Sequence, residues 1–284
     1  MVIGMNEKQS VLKIIAAASG IGAPDQRCGQ GPEAVLAALG WQGQVITPLP
    51  CGGREALKSF VAKLANAVAV LLETEQRIAI LSGDHSCAIG SWRGVSRAVG
   101  GPLGLIWVDA HMDAHTPESS PSGHWHGMPV AALLGQGALG SEGAMVRPEN
   151  LCLLGVRSFE APEAELLRQL GVRVISMDEV NCLGMEVAMA EALTVAKRGT
   201  AGYGLSIDLD GLDPADAPAV GSPVVGGIRA AEWLPVLAGL ALDAQFRALE
   251  VAEFNPVNDV EQRTLQLVLQ MLNLISGAAY ESDH

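Results

Sequence analysis

Short apolar runs alternate with helix-like stretches along the whole chain, and no other feature of the sequence restricts the fold as strongly. Eight runs have the length and composition of buried strands, at residues 12–18, 44–49, 77–83, 103–110, 151–157, 172–176, 203–210 and 247–254. Helix-like stretches separate them, for example at residues 54–76 and 259–276. Near-continuous apolar strands are typical of a parallel sheet that helices cover on both faces. The alternation therefore predicts a three-layer α-β-α fold of the α/β class.

The chain is long enough to bury one large core, with 284 residues and 49% hydrophobic content. Its composition contains no linker-like break or internal repeat, so we expect residues 1–284 to form a single domain. Two segments rich in Gly, Ser and Pro, at residues 116–123 and 213–227, each follow a predicted strand. Segments in such positions are typical of functional loops.

The protein is acidic, with a net charge of -13 and a pI of about 4.8. This charge excludes nucleic acid and anionic membrane surfaces as partners, because polyanions would be repelled, and it favours cationic substrates and metal ions. The apolar runs are shorter than the ~20 residues that a membrane helix needs. An odd number of cysteines without a CxxC pair predicts neither a disulfide framework nor a thiolate zinc site, so we expect a cytoplasmic protein. The cysteines are Cys28, Cys51, Cys87, Cys152 and Cys182.

Acidic and histidine side chains follow four of the predicted strands, at the point where each strand ends. Three strands run into residues 83–86, 109–113 and 208–210, and the last runs into Glu253. The carboxyl ends of parallel strands meet at one edge of the sheet, where ligands bind in open α/β folds. Residues at i, i+2 and i+4 of the segment 109–113 share one side of an extended chain. We therefore expect six side chains to converge there: His85, Asp109, His111, Asp113, Asp208 and Asp210.

Four carboxylates in a partly buried crevice would repel one another, which makes the predicted cluster unfavourable without cations. Two divalent cations would cancel this charge. The mixed nitrogen and oxygen ligands favour Mn²⁺, with Zn²⁺, Fe²⁺, Co²⁺ and Ni²⁺ as alternatives. Where two metal ions share a water, that water is deprotonated near neutral pH. The six residues therefore predict a hydrolytic reaction.

Each part of this pattern also has a simpler interpretation. A single histidine or aspartate after a strand is commonly a cap or a loop anchor, so the prediction depends on their joint occurrence at successive strands. The segment 208–219 has the aspartate spacing of an EF-hand calcium loop, but Asp213 stands where Gly is required and Ala219 where Glu is required. The two histidines of HWH (124–126) lie in a loop rich in Gly, Ser and Pro, without a rigid strand that could hold a metal.

Several motifs occur together in one order: GAPDQRCGQGPEAV (22–35), GDHS (83–86), DAHMD (109–113), SIDLDGLDP (206–214), PVVGG (223–227) and EFNP (253–256). In this combination the sequence resembles the arginase and agmatinase family of ureohydrolases, over roughly residues 14–275. The resemblance implies an open parallel sheet, two Mn²⁺ ions per chain at the carboxyl ends of the strands, and release of urea from a small guanidino substrate. It also implies a homo-oligomer, a trimer or a hexamer.

The resemblance further implies roles for individual residues. One metal ion would be held by His85, Asp109, Asp113 and Asp208, and the other by His111, Asp109, Asp208 and Asp210. A hydroxide that bridges the ions would attack the guanidinium carbon, with Asp113 holding it in line. Glu253 would pair with the guanidinium, whose planar shape fits two parallel hydrogen bonds to a carboxylate. His126 would give a proton to the leaving amine.

The loop at residues 115–127 is similar to the loop with which arginases hold the α-carboxylate of arginine. The matching residues are His115, Ser120, Ser122 and His124, with histidines where the family has asparagines. Glu160 stands where a family aspartate contacts the α-amino group, and Ser158 where another aspartate is usual. Ser222 completes the predicted substrate-binding set. L-Arginine is therefore the first expected substrate, 4-guanidinobutyrate or 3-guanidinopropionate the second, and agmatine the third.

Two interpretations from other classes stay open at this point. One is a binuclear hydrolase that releases no urea and acts on an acylated amine or a phosphoester, because fold and metals alone do not choose the reaction. Glu253 argues against a phosphoester, since a carboxylate repels phosphate. The other is a non-enzymatic relative that keeps the metals as structural cross-links, and the presence of His126 and Glu253 argues against it.

Overall fold

Eight parallel strands form one sheet in the computed structural model, which describes residues 12–41, 43–49, 53–137, 143 and 145–276. The strands are β1 (Lys13–Ala17), β2 (Gln44–Ile46), β3 (Ile78–Ser82), β4 (Leu103–Val108), β5 (Leu151–Val156), β6 (Arg173–Ser176), β7 (Gly202–Asp208) and β8 (Phe246–Ala252). Their order across the sheet is β2-β1-β3-β8-β7-β4-β5-β6, and every neighbouring pair is parallel. The eight predicted strands and the open parallel sheet are confirmed.

Helices cover both faces of this sheet. They are α1 (Gly31–Ala38), α2 (Gly53–Thr74), α3 (Ala88–Ala98), α4 (Pro129–Leu133), α5 (Ala161–Leu170), α6 (Met177–Leu183), α7 (Met185–Ala196), α8 (Ala230–Leu240) and α9 (Arg263–Ser276). Buried side chains of α1, α6, α7, α8 and α9 belong to one hydrophobic cluster, and those of α2, α3, α4 and α5 to a second. Side chains alternate along each strand, so that Ile14 of β1 joins the first cluster and Ile15 the second. The α-β-α layering is confirmed.

The register between the central strands brings their carboxyl ends to one level. Ile207 of β7 pairs with Val108 of β4 on one side and with Val251 of β8 on the other. The next residues of β7 and β4 are Asp208 and Asp109, so these two carboxylates emerge from the sheet side by side. Adjacent carboxylates at the carboxyl edge of a parallel sheet lie where this class of fold binds its ligands.

The last helix begins later than the sequence pattern indicates. The helix-like stretch starts at Asp259, whereas α9 starts at Arg263. Glu261 and Gln262 have φ angles of 57° and 56°, which an α-helix does not accommodate. The Asp259 side chain accepts hydrogen bonds from two backbone N–H groups in the first turn of α9, at 3.0 Å each, and so satisfies donors that the helix leaves unpaired.

Within the described ranges, none of the helices combines the length and the apolar character that a membrane crossing requires. Four cysteines are free thiols: Cys28, Cys87, Cys152 and Cys182. The fifth, Cys51, lies outside the described residues.

Candidate metal centre and active site

The six predicted metal ligands lie together at the carboxyl edge of the sheet. Their ligand atoms form two groups, and within each group all of these atoms lie within 4.8 Å of one another. The first ligand group contains His85, Asp109, Asp113 and Asp208, and the second ligand group contains Asp109, His111 and Asp210. Asp109 belongs to both groups. Asp208, which we expected to serve both metal ions, is found in the first group.

In the first ligand group, one imidazole nitrogen faces three carboxylates. His85 Nδ1 lies 3.3 Å from Asp109 Oδ2, 3.2 Å from Asp113 Oδ2 and 3.1 Å from Asp208 Oδ2. His85 Nδ1 and Asp113 Oδ2 are nevertheless buried without a hydrogen-bond partner. Buried polar atoms are rarely left in this state, because the desolvation penalty is then uncompensated. Convergence of unpaired ligand atoms on one point fits a cation.

The second ligand group offers the same types of ligand atom. His111 Nδ1 lies 3.5 Å from Asp109 Oδ1 and 3.2 Å from Asp210 Oδ2. Because Asp109 Oδ1 faces this group and Asp109 Oδ2 faces the first, its carboxylate bridges the two. Imidazole nitrogens and carboxylate oxygens together suit divalent ions such as Mn²⁺, Zn²⁺ and Fe²⁺. The ligand set present here therefore fits divalent metal ions.

Several carboxyl groups at this edge hold their protons more tightly than an aspartate does in water. Burial is the main cause, and the Asp109 carboxylate adds to it. Together they raise the pKa of Asp113 to about 7 and that of Asp210 to about 6. Burial and two neighbouring carboxylates also raise the pKa of Asp208 well above its usual value. Ionisation of these groups therefore carries a penalty that a bound cation would remove.

Trp107 of β4 helps to fix the carboxylate that the two groups share. The Trp107 Nε1–H donates to Asp109 Oδ2 at 2.9 Å, and the backbone N–H of His111 donates to Asp109 Oδ1 at 2.7 Å. The Trp107 ring also stacks on the His85 imidazole, with centroids 4.1 Å apart and planes 17° from parallel. Asp109 is fully buried. These contacts hold the bridging carboxylate in one orientation.

A buried hydrogen-bond chain below the first ligand group was not predicted from the sequence. Glu250 of β8 is fully buried. Its carboxylate accepts hydrogen bonds from Ser82 Oγ and Ser206 Oγ, at 2.7 Å each, and Ser206 Oγ lies 3.1 Å from His85 Nε2. Since Ser206 donates its only proton to Glu250, its oxygen can accept from His85 Nε2–H. This arrangement leaves the lone pair of His85 on Nδ1, the atom that faces the carboxylates.

Two acidic residues of the site have a left-handed backbone conformation. The φ angle is 49° at Asp113 and 67° at Glu253, values that few residues other than Gly adopt. The Glu253 N–H donates to the Gly83 carbonyl at 2.7 Å, and Glu253 Oε1 accepts from the backbone N–H of His85 at 2.8 Å. The chain therefore turns sharply after β8 and presents the Glu253 carboxylate beside the turn that carries His85.

His126 faces Glu253 across the crevice, with Nδ1 3.5 Å from Glu253 Oε1. Burial by itself lowers the pKa of His126. The Glu253 carboxylate and two more distant aspartates outweigh burial and raise this pKa to about 9. A group with such a pKa is protonated at neutral pH, so His126 can act as a proton donor there.

A cavity of about 250 Å³ opens beside the two ligand groups. Among the predicted catalytic and substrate-binding residues, those that line it are Asp113, His115, His126, Glu160, Ser222 and Glu253. Three residues after β5 that were not in the predicted set also line the cavity: Ser158, Phe159 and Glu163. Together with Glu160 they form what we call the β5 wall. A volume of this size suits a small molecule.

Three members of the predicted substrate-binding set are not part of the cavity lining: Ser120, Ser122 and His124. The Ser120 and Ser122 hydroxyls lie 3.5 Å apart, and each accepts a hydrogen bond from a nearby backbone N–H, that of Gly123 and that of His124. Both hydroxyls therefore support an exposed turn. The assignment of these three residues to the substrate stays a prediction.

Glu163 is a cavity residue that sequence reasoning missed. Its Oε1 accepts from the Ala114 N–H and its Oε2 from the Glu160 N–H, at 3.0 Å each. Glu160 and Glu163 stand at the N-cap and third position of α5, the spacing at which a Glu side chain returns to the N-cap backbone. That spacing in the sequence would have predicted the hydrogen bond from the Glu160 N–H to the Glu163 side chain, but not the burial of Glu163 beside the cavity.

Arg157 was also missed, although it determines where one loop of the site lies. Its half-buried guanidinium donates to the backbone carbonyls of Gly155, Asp210, Gly211, Leu212, Val224 and Val225. The segment after β7, which carries Asp210 and Ser222, is thus fastened to the end of β5. No motif in the sequence indicates this arrangement, because the acceptors are main-chain oxygens.

Comparison with known proteins agrees with this geometry. The model of the family described as "Arginase family" matches residues 14–276. An arginase of Bacillus caldovelox is 40% identical over 220 residues, which are 76% of this chain and 73% of that protein. An arginase of Bacillus subtilis is 38% identical over 76% of this chain and 74% of its own length. A crystal structure of arginase from Bacillus subtilis superposes with a TM-score of 0.85 and 32% identity, covering 95% of this chain and 99% of the other. The chain belongs to the arginase family.

Proposed function

We propose that the protein is a metal-dependent hydrolase that cleaves the guanidino group of L-arginine, giving urea and ornithine. The observation that carries this proposal is that both ligand groups and the Glu253 carboxylate lie beside one small cavity. The names of the similar proteins, arginases of two Bacillus species, support the choice of substrate. The acidic charge of the chain agrees with a cationic substrate.

We propose Mn²⁺ as the metal, with two ions per chain. The supporting observation is the mixed set of imidazoles and carboxylates, which suits Mn²⁺. The first ion would be held by His85, Asp109, Asp113 and Asp208, and the second by His111, Asp109, Asp208 and Asp210. Two divalent ions that share a water would supply a nucleophile near neutral pH.

Three residues of the cavity would bind the guanidinium, align the attacking water and protonate the leaving amine. Glu253 would bind the guanidinium and fix its plane, because a carboxylate and a guanidinium form two parallel hydrogen bonds. Asp113 would accept a hydrogen bond from the attacking water and so align it with the guanidinium carbon. His126, protonated at neutral pH, would donate a proton to the leaving amine.

The remote end of the substrate would be bound by other residues of the cavity. We propose Glu160 and Ser222 for this role because both line the cavity. Ser120, Ser122 and His124 are proposed for the α-carboxylate by their match to the arginase loop, a match that His115 shares.

We also propose the bounds of the catalytic domain, the oligomeric state and the cellular location of the protein. Residues 1–284 would form one catalytic domain, which is supported by the single sheet and by the family match over residues 14–276. The protein would be a homo-oligomer, a trimer or a hexamer, as the family resemblance implies. The free thiols of the described cysteines support a cytoplasmic location.

Urea release tests the proposed function. The protein is stripped with a chelator, reloaded with Mn²⁺ and supplied with L-arginine, 4-guanidinobutyrate, 3-guanidinopropionate or agmatine. We expect turnover of L-arginine that disappears on stripping and returns with Mn²⁺. Turnover of a guanidino acid without turnover of L-arginine would overturn the assigned substrate. If none of the four compounds released urea while metal was bound, the proposed reaction would be wrong.

A further inference from the structure

Both ring nitrogens of His115 face other protein groups. His115 Nδ1 lies 3.1 Å from Ser119 Oγ. On the other side of the ring, Nε2 lies 3.3 Å from Glu160 Oε2 and 3.4 Å from Glu163 Oε2. The residue is 8% exposed. An imidazole has only these two polar atoms, so His115 has no nitrogen directed at a substrate carboxylate.

The two carboxylates that face His115 differ in how firmly they are held. Glu163 is buried, and its two oxygens accept hydrogen bonds from the backbone N–H groups of Ala114 and Glu160. The Glu160 side chain is 54% exposed, and its carboxylate stands at the edge of the cavity. Glu163 is therefore an anchor, whereas the more exposed Glu160 carboxylate is oriented by His115 Nε2 and by the backbone N–H of Glu163 in the capping box of α5.

The charge of the β5 wall determines which substrate end it can accept. Glu160 and Glu163 are both acidic, and Glu160 is the more accessible of the two. A substrate that places a carboxylate against this wall would meet repulsion, whereas an ammonium group would find a carboxylate ready to accept its hydrogen bonds. The strand order β8-β7-β4-β5 sets the β5 wall at the opposite side of the site from Glu253. Acidic residues thus stand at both sides of the ligand groups, Glu253 at one side and Glu160 with Glu163 at the other.

We propose that His115 is a positioning residue, which holds the Glu160 carboxylate at the cavity edge to bind an ammonium group at the substrate end remote from the guanidinium. The contact between Glu160 and the amine is the one that the match to the arginase aspartate implies, and its dependence on His115 is the new element. This inference rests on the proposed ureohydrolase function and deepens it. It replaces a direct contact between His115 and the α-carboxylate, the role that a match to the arginase asparagine suggests, with an action through Glu160.

Three substrates that differ by one group each separate these two roles. L-Arginine has both the amine and the carboxylate, 5-guanidinovalerate lacks the amine, and agmatine lacks the carboxylate. In the Mn²⁺-loaded wild type we expect loss of the amine to reduce kcat/KM more than loss of the carboxylate does. In His115→Ala we expect the KM for L-arginine and for agmatine to rise about tenfold, with kcat within about twofold, because a positioned charge-assisted contact is lost. The KM for 5-guanidinovalerate should change by less than about twofold.

A double-mutant cycle tests whether His115 acts through Glu160. Glu160→Gln should raise the KM for L-arginine by a similar factor, and adding His115→Ala to that variant should raise it no further. Glu165→Gln removes the same charge from an exposed position of α5 and is the matched control, with KM unchanged. Melting temperature and bound Mn²⁺ are measured for each variant, so that a folding defect is recognised from these values.

The substrate panel and the double-mutant cycle distinguish the role of His115 from the proposed function itself. A rise in KM for L-arginine and 5-guanidinovalerate, with agmatine unaffected, would make His115 a carboxylate ligand and overturn the inference. Additive effects of His115→Ala and Glu160→Gln would overturn it as well. Should the wild type release no urea from any of the three substrates, the proposed function itself fails. If the wild type releases urea and His115→Ala raises the KM for L-arginine and for agmatine, both the proposed function and the role of His115 are supported.

Discussion

The contact between Glu253 and His126 would govern the proton that His126 is proposed to give to the leaving amine. The carboxylate raises the pKa of His126 to about 9 against the opposing effect of burial. A proton donor has to be protonated before it acts, so the donating form predominates below about pH 9 and declines above it. Glu253 would thus serve two purposes, since it would bind the guanidinium and keep the proton on His126.

Replacing this carboxylate is expected to lower the pKa of His126. In Glu253→Gln, burial acts with less opposition, so the pKa should fall from about 9 toward its ordinary value of 6.5. NMR titration of the His126 ring in metal-free protein measures the change. Glu261→Gln removes a charge from an exposed position and should leave the pKa near 9. An unaltered pKa in Glu253→Gln would refute the cause assigned here.

Glu250 provides a second prediction, because Ser206 links its carboxylate to His85 of the first ligand group. Glu250→Gln is expected to weaken Mn²⁺ binding by about 10- to 100-fold, since an amide no longer ensures that Ser206 donates its proton to residue 250 and accepts from His85 Nε2–H. Calorimetric titration of chelator-stripped protein with Mn²⁺ gives the affinity. Ser82→Ala is the control. It removes a hydrogen bond to the other oxygen of Glu250, which does not contact Ser206 or His85, so its effect on Mn²⁺ affinity should be much smaller. Equal affinities in wild type and Glu250→Gln would show that the chain does not orient His85.

Arg157 joins the end of β5 to the loop that follows β7. Its guanidinium spans main-chain carbonyls on both sides of that loop, Asp210 at 2.6 Å and Val224 at 2.7 Å. Carbonyls of a loop have no ladder partner, so an arginine that donates to several of them replaces the missing secondary structure. The loop is thereby fixed although it contains Gly and Pro.

Removal of this arginine is expected to loosen the loop. Arg157→Met should lower the free energy of unfolding by about 2–4 kcal/mol, because several carbonyls lose a charged donor. It should also speed amide hydrogen exchange at residues 211–228. Urea denaturation and hydrogen-exchange mass spectrometry measure the two effects. Arg229→Met breaks an exposed pair with Asp216 on the same loop and is the control, with little effect on either. Unchanged exchange in Arg157→Met would count against the assigned role.

Most of the strands were predictable because they are near-continuous apolar runs with polar residues at their ends, a pattern that depends only on local sequence. The start of α9 was not. Glu261 and Gln262 are compatible with a helix by composition, and their positive φ angles follow from how Asp259 caps the helix in three dimensions. Arg157 was beyond prediction for a related reason, since its acceptors are backbone atoms that any residue would supply.

The acidic edge of the sheet lowers the stability of the folded protein, because its carboxyl groups are buried close together. The pKa of Asp113 is raised to about 7 in the folded protein, whereas it is about 3.9 in an unfolded chain. Ionisation of Asp113 therefore opposes folding, fully above about pH 7 and not at all below about pH 4. A bound cation would reverse this effect, because it favours the ionised carboxylate.

Asp113→Asn is expected to change stability in opposite directions with and without metal. At pH 8 in chelator, the variant should melt at or above the wild-type temperature, because a buried charge is gone and Asn tolerates the φ angle of 49°. With Mn²⁺, the wild type should gain roughly 5 °C or more and the variant less than half of that gain. Thermal denaturation with and without Mn²⁺ measures both. Asp178→Asn, on the exposed side of α6, should follow the wild type. A variant that gained as much as the wild type from Mn²⁺ would exclude Asp113 as a ligand.

Much of the site could be anticipated because its acidic and histidine residues follow strand ends, and a parallel sheet brings those ends together. The convergence of His85, Asp109 and Asp208 follows from that rule alone. The role of His115 did not follow, because its position in the loop matched an asparagine pattern while its ring turns toward Glu160 and Glu163. The direction of the His115 ring depends on two carboxylates that follow β5 in the chain. The spacing of residues along the sequence does not reveal that contact.

Asp109 contributes one oxygen to each ligand group, and this has a thermodynamic consequence. Two ions that share a carboxylate cannot be bound as independent events, because the first to arrive withdraws negative charge that the second would use. Whatever the first ion does to the affinity of the second, the second does equally to the first. Loading of the centre would then follow a two-step isotherm whose steps are coupled, and the shared Asp109 carboxylate would contribute to the coupling free energy.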